Sequence, residues 1–153
     1  MKKIVGVVGA ADASAEQLKV AEEVGRFIAE NGWILINGGL QGVMEASAKG
    51  ASQAGGIVVG ILPTPQTNSA NPYVTIPIAT NMGHARNVII AHTADVLIAI
   101  GGQEGTLSEI AIARKLGKPV FGINSWEVAG VKPVANAQEA IKECQQILKF
   151  SQK

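Results

Sequence analysis

The chain has 153 residues, enough for one domain with a substantial core. Its charged fraction is 16%, below the usual level of about 25%, and it carries 18 glycines. A formal net charge of +1 gives no broad basic field for nucleic acid. Cys144 is the single cysteine, which excludes an intrachain disulfide or a multi-cysteine metal site.

Met1-Lys2-Lys3 leads directly into an apolar run and resembles no secretory signal. The longest apolar stretch is broken by His92, Thr93 and Asp95, short of the ~18 residues that span a bilayer. The expectation is a cytoplasmic protein without membrane contact. Low charge leaves little polar surface for a small monomer, so a homodimer or homotetramer is expected.

Ile4 to Gly9 has the length and Val content of a buried strand. Ser14 and Gln17 have capping-box spacing, so a helix starts at Ser14; Leu18, Ala21, Val24, Phe27 and Ile28 continue it until Asn31-Gly32. Trp33 to Ile36 is a second strand, followed by a helix to about Ala54, and Ile57 to Leu62 is a third strand. Pro63 to Pro72 reads as a surface loop, and Val74 to Ile78 as a short strand. A helix over Gly83 to Ala94 precedes the strand Val96 to Ile100 and a helix to Leu116. Gly117-Lys118-Pro119 stops that helix before a strand over Val120 to Ile123. Asn136 and Glu139 have capping spacing for a last helix to about Phe150.

Alternating strands and helices with short glycine-containing turns imply an α/β fold: a single Rossmann-like domain over 1–153, a three-layer sandwich with a mostly parallel, doubly wound sheet. Right-handed crossovers then bring the strand–helix turns to the carboxyl edge of the sheet, where ligands bind in such folds.

Two of those turns carry the same phrase. Gly38-Gly39-Leu40-Gln41-Gly42 follows one apolar run and Gly101-Gly102-Gln103-Glu104-Gly105 follows another. Glycines ahead of a helix leave unpaired N–H groups at its positive end, where a phosphate can sit. Gly38, Gly39, Gly42, Gly101, Gly102 and Gly105 are therefore candidate phosphate contacts. The repeat is also what two βαβ units obeying one packing rule would produce. The second phrase continues into Thr106, a hydroxyl donor, and Glu109, one turn further on. A carboxylate there either stabilises the helix dipole or takes part in chemistry.

Asn81-Met82-Gly83-His84-Ala85-Arg86-Asn87 is the other cluster. Arg86 is placed near a helix start as a clamp for phosphate or carboxylate, with Asn87 beside it. His84 and His92 read as structural, and no metal-ligand spacing is present. No GxxxxGK[ST] occurs, and Val8-Gly9-Ala10-Ala11-Asp12 in the first strand–helix turn lacks GxGxxG. Gly9 remains a candidate backbone contact to a ligand.

Together these clusters resemble the superfamily often labelled lysine decarboxylase-like, a Rossmann-type nucleotide-binding group. Its best-understood branch is the cytokinin-activating phosphoribohydrolases, the Lonely Guy family. The resemblance runs from Ile4 to about Asn124 and is most specific over Asn37 to Gly50 and Met82 to Glu109. It implies that Gly101, Gly102, Gly105 and Thr106 bind the phosphate of a nucleoside 5′-monophosphate, with Arg86 and Glu109 as catalytic residues that hold the sugar and assist departure of the base. Three positions depart from that pattern: GGxxGTxxE replaces GGxGTxxE, Ile100 stands for the usual Pro, and Asn87 for the usual Lys. These features are closer to a branch similar to the molybdenum cofactor carrier proteins, which bind an anionic pterin-type cofactor or a nucleotide. The DNA-processing protein A family is a more distant likeness, and the neutral charge and six aromatic residues disfavour its single-stranded DNA role here.

Three functions stay open at this point. The chain binds a nucleotide monophosphate or molybdopterin-type ligand, with no cofactor otherwise required; or it is a phosphoribohydrolase; or it is a non-catalytic oligomeric regulatory protein.

Overall fold

A computed structural model describes residues 1–150; the last three residues of the expected 1–153 domain lie outside the described residues. Seven strands form one sheet: β1 (Ile4–Gly9), β2 (Ile34–Asn37), β3 (Val58–Leu62), β4 (Ile76–Ala79), β5 (Val96–Ile100), β6 (Val120–Ile123) and β7 (Lys132–Val134). Their spatial order is β4-β3-β2-β1-β5-β6-β7, and every pairing is parallel. The expected "mostly parallel" sheet is thus entirely parallel, as it must be when each strand returns through a crossover.

Five helices cover the sheet: α1 (Ala15–Glu30), α2 (Val43–Gln53), α3 (Asn87–Thr93), α4 (Glu104–Lys115) and α5 (Ala137–Phe150). Strand side chains alternate between two cores. Val5, Val7, Val96, Ile98 and Ile100 pack with Ala21, Val24, Ile28, Ala48 and Cys144 of α1, α2 and α5. Val8, Leu97 and Ala99 pack on the other face with Ile90, Ala91, Ile110 and Ala113 of α3 and α4. This is the three-layer sandwich expected from residues buried on both faces of a parallel sheet. Burial pushes the Cys144 thiol up to about 12, so it serves as a small apolar filler.

The ends of α1 and α5 follow the sequence. The Ser14 hydroxyl accepts from the Gln17 N–H at 3.1 Å, and the Gln17 side chain accepts from the Ser14 N–H at 3.0 Å. The Glu139 N–H donates to Asn136 Oδ1 at 2.9 Å. β2 and β3 each start one residue later than expected, and three larger differences stand out. The fourth strand sits at Ile76–Ala79, two residues later than its apolar run begins, because Thr75 already caps the end of the ladder through Val58. The helix expected over Gly83 to Ala94 is a 3-10 turn, Gly83–Arg86, leading into α3. β7 was not foreseen; its three residues, one of them Pro133, are too short and too polar to show a period.

Helices α1 and α2 approach each other closely through two glycines. A side chain on Gly25 would strike the Ser47 carbonyl, and one on Gly50 would strike the Glu22 carbonyl. Backbone on both sides cannot yield, so the helices would have to part. We predict that Gly25→Ala destabilises the fold by about 1–3 kcal/mol, read as a lower thermal midpoint; an unchanged midpoint would show that the α1–α2 spacing is soft.

Candidate functional site

The strand order reverses between β1 and β5, because β1 is followed by neighbours on one side and β5 by neighbours on the other. Their outgoing loops diverge to α1 on one face and α4 on the other, leaving a crevice at the carboxyl ends. A cleft of about 220 Å³ occupies that position, lined by Gly9, Ala10 and Ala11 after β1, and by Gln103, Gly105, Thr106 and Glu109 of the β5–α4 unit. Gly38, Leu40 and Met44 close one side, and His84 and Arg86 of the 3-10 turn with Asn87 at the start of α3 close another.

The two glycine phrases fold differently. In the first, Gly42 is the N-cap of α2. Asn37 is fully buried and shapes the turn, donating to Met44 O and Ser47 Oγ and accepting from the Gly39 N–H at 2.8 Å. Asn71 pins the other side through Leu40 O at 2.9 Å. The Val43 N–H at the start of α2 donates to Ala10 O at 3.1 Å, and Gly42 lies against the Ala10 and Ala11 carbonyls. That helix start is therefore filled by protein. Gly39 and Gly42 do not line the cleft; Gly38 does, and it leaves room for a cation.

In the second phrase α4 begins inside the motif. Gln103 is the N-cap, and the Leu107 N–H is the first to find an intrahelical acceptor, Gln103 O at 3.0 Å. The N–H groups of Glu104, Gly105 and Thr106 form the free first turn, and Gly105 and Thr106 face the cleft. Nothing lies within 4 Å of where a Gly105 side chain would begin, so the backbone there is open to a ligand. Gly101 and Gly102 bend back at φ +55° and +108° and lie behind this turn, outside the cleft. They let the chain fold against Gln17 and Thr106.

Arg86 is held as a fixed cation. The segment before it is tied to the end of β3 by Thr80 Oγ1 donating to Leu62 O at 2.7 Å and by the Gly83 N–H donating to Pro63 O at 3.0 Å. Arg86 Nε donates to Ile61 O at 2.8 Å, and Nη1 donates to Asn87 Oδ1. Nη2 rests on Gly38, where an added Cβ would lie 2.7 Å away, and has no acceptor among the described residues. Burial draws this guanidinium below its ordinary value and the Glu109 charge opposes the shift; an arginine so placed keeps its charge.

Glu109 is the counterpart. It is 7% exposed, has no hydrogen-bond partner among the described residues, and makes no ion pair with Arg86. Burial raises its carboxyl to about 8, with the Arg86 charge pulling the other way. The cleft thus brings together one fixed cation, one acid whose burial favours the protonated form, and a free helix N-terminus. Thr106 is buried at the same wall. Sequence reasoning did not place Leu40, Met44, Ala10, Ala11 and Gln103 here, and it read His84 as structural although it lines the cleft. None of these residues has a pattern that distinguishes a cleft wall from a surface or a core. Among the described residues no group of three or more His, Cys, Asp or Glu side chains could hold a metal ion.

A model described as the SLOG cluster4 family matches residues 2–151. The chain belongs to the SLOG cluster4 family. Among solved structures, a molybdenum cofactor binding protein from the phototrophic bacterium Rippkaea orientalis is 36% identical with a TM-score of 0.92, over 97% of this chain and 98% of that one. The molybdenum cofactor carrier protein from Chlamydomonas reinhardtii is 38% identical with a TM-score of 0.90, over 97% and 99%. The cytokinin riboside 5′-monophosphate phosphoribohydrolase of Mycobacterium tuberculosis is 32% identical over 126 residues, 76% of this chain and 67% of that one. This family member therefore has full-length structural likeness to a molybdenum cofactor binding protein and a molybdenum cofactor carrier protein, and a shorter sequence likeness to an enzyme. Among the described residues no helix is long and apolar enough to cross a membrane.

The Glu109 carboxyl binds its proton more tightly in the fold than at its ordinary value of 4.5 in the unfolded chain. That preference is fully present below 4.5 and is lost as pH rises through about 8. Glu109→Gln is accordingly expected to leave the thermal midpoint unchanged below pH 4.5 and to raise it progressively between pH 4.5 and about 8, with the full difference kept at higher pH. Equal midpoints for the two proteins across the whole range would show that Glu109 ionises in the fold as freely as in water.

Proposed function

We propose that the cleft binds the phosphate of a small molecule, a nucleotide or a pterin-type cofactor, and that the protein is a carrier or binding protein for it. The observation that carries this reading is the pairing of Arg86 Nη2, free and fixed on Gly38, with the free first turn of α4 at Gly105 and Thr106. A fixed cation and unpaired helical N–H groups converging on one opening are complementary to a phosphate. Protonated Glu109 adds a donor where an ionised carboxylate would repel the ligand. Likeness to the two molybdenum cofactor proteins over the whole fold supports a molybdopterin-type ligand, held by its phosphate.

Asn87 favours carriage over cleavage. It stands where the phosphoribohydrolase pattern has Lys, and its Oδ1 is spent holding Arg86. A lysine at that place would offer a second cation or an acid; the amide offers neither. The second reading, hydrolysis of a nucleoside 5′-monophosphate, rests on Glu109 beside the phosphate site and on the relative from Mycobacterium tuberculosis. There Glu109 would have to ionise to stabilise an oxocarbenium-like sugar, or give its proton to the departing base. The exposed edge strand β4, with Ile76 and Ile78 on its surface, supports the expected homodimer or homotetramer, which light scattering can count.

Thermal melts with AMP, GMP and a pterin phosphate test the binding. At about 100 times its Kd a ligand adds about 2.7 kcal/mol, a rise of several degrees. Arg86→Ala should weaken that binding by about tenfold or more. Affinity for the phosphate is expected to fall as pH rises through about 8, where Glu109 ionises, and the fall should vanish in Glu109→Gln. No shift with any of the three ligands would overturn the reading. Chromatography of AMP incubated with the protein separates the alternatives: free adenine, lost in Glu109→Gln, would establish hydrolysis.

A further inference from the structure

The switch-point cleft, about 220 Å³, is smaller than the roughly 300–1,000 Å³ of pockets that enclose whole ligands. It accommodates a phosphate and its neighbouring atoms, and the rest of a nucleotide or pterin extends beyond it. Beyond the Gly101–Gln103 turn the structure offers a larger space. A cavity of about 470 Å³ opens at the carboxyl ends of β6 and β7, walled by Gly122, Val128, Val131 and Pro133 with Asn124 and Trp126 at its rim. A groove over Gly101 and Gly102 shares Asn124 and Trp126 with that cavity.

Trp126 joins the two regions. Its Nε1 donates to Gln103 O at 3.1 Å, and Gln103 lines the phosphate cleft. Ser125 Oγ donates to Gly101 O at 2.6 Å, so two successive side chains of the β6–β7 loop are fastened to the turn that begins α4. The indole is nevertheless 38% exposed, one of the few large apolar side chains left open to solvent. An indole whose polar edge is fixed and whose ring stays accessible is poised for stacking. Gly101 and Gly102 carry no side chains into the groove, which is bounded there by the Gln17 amide.

The geometry points to Trp126 as the ring-recognition residue: with phosphate in the Arg86–Thr106 cleft, the ligand crosses the Gly101–Gln103 turn and lays its purine or pterin ring against the indole, at the mouth of the β6–β7 cavity. This assignment rests on the phosphate-binding reading above. Asn124, at φ +47° and on the rim of the same cavity, supplies an amide that can hydrogen-bond a ring edge.

The test is calorimetric titration of AMP, GMP, a pterin phosphate and ring-free ribose 5-phosphate into the native protein, Trp126→Ala and Trp126→Phe. The native protein should bind at least one ring compound more tightly than ribose 5-phosphate. Trp126→Ala should lose about tenfold of that ring affinity, as expected for one stacking platform, while ribose 5-phosphate is unaffected. Trp126→Phe keeps an aromatic face without the hydrogen bond to Gln103 and should restore most of the loss. Equal weakening of all ligands in Trp126→Ala would overturn the inference, since the tryptophan would then act only by shaping the α4 turn. Unchanged ring affinity in Trp126→Ala, or ring compounds binding no better than ribose 5-phosphate, would overturn it with the phosphate reading intact. Failure of all four ligands to bind the native protein would overturn both.

Discussion

Every element of the cleft depends on the gap that opens where strand order reverses between β1 and β5. A parallel sheet forces each connection over one face, and the two central strands send theirs to opposite faces. The space between the outgoing loops cannot be filled by either. It is ringed by backbone ends and by apolar side chains such as Leu40 and Met44, and it draws in the first turn of α4, the Gly9–Ala11 segment and the 3-10 turn with Arg86. The chemistry of the protein follows from what the chain places around this gap.

Two buried ionisable groups there behave in opposite ways for one reason. Arg86 is immobilised by Ile61 O and Asn87 Oδ1 and so retains charge in a poorly hydrated place. Glu109 has no donor among the described residues, so burial is opposed only by the Arg86 charge and favours the protonated form. A cleft with one fixed positive charge and one neutral acid is asymmetric toward anions. Asn87 stiffens Arg86 where a lysine would compete with it.

Much of the architecture was legible in the chain. The caps at Ser14 and Asn136, the apolar strands and the glycine stops place most elements correctly because they are local effects, settled within a few residues. Arg86, Asn87, Gly105, Thr106 and Glu109 were also legible as one site, since a strand–turn–helix order fixes which turns share an edge of the sheet. β7 and the 3-10 turn were not. The first is specified by pairing with β6 rather than by its own pattern, and the second by hydrogen bonds to the end of β3.

The sequence by itself determined a parallel α/β sandwich and the inventory of polar groups at its carboxyl edge, because periodicity and capping act along the chain. It wrote the two GGxxG phrases alike, and only the tertiary structure separated them. Asn37, Asn71 and the Ala10 carbonyl seal the first around α2, so its glycines serve close packing and the seat of Arg86. Ser125 ties the second to the far side through Gly101 O, and there α4 starts two residues earlier in the motif and leaves its N–H groups open. A glycine pattern states what the backbone is free to do; contacts from distant residues decide which freedom is used.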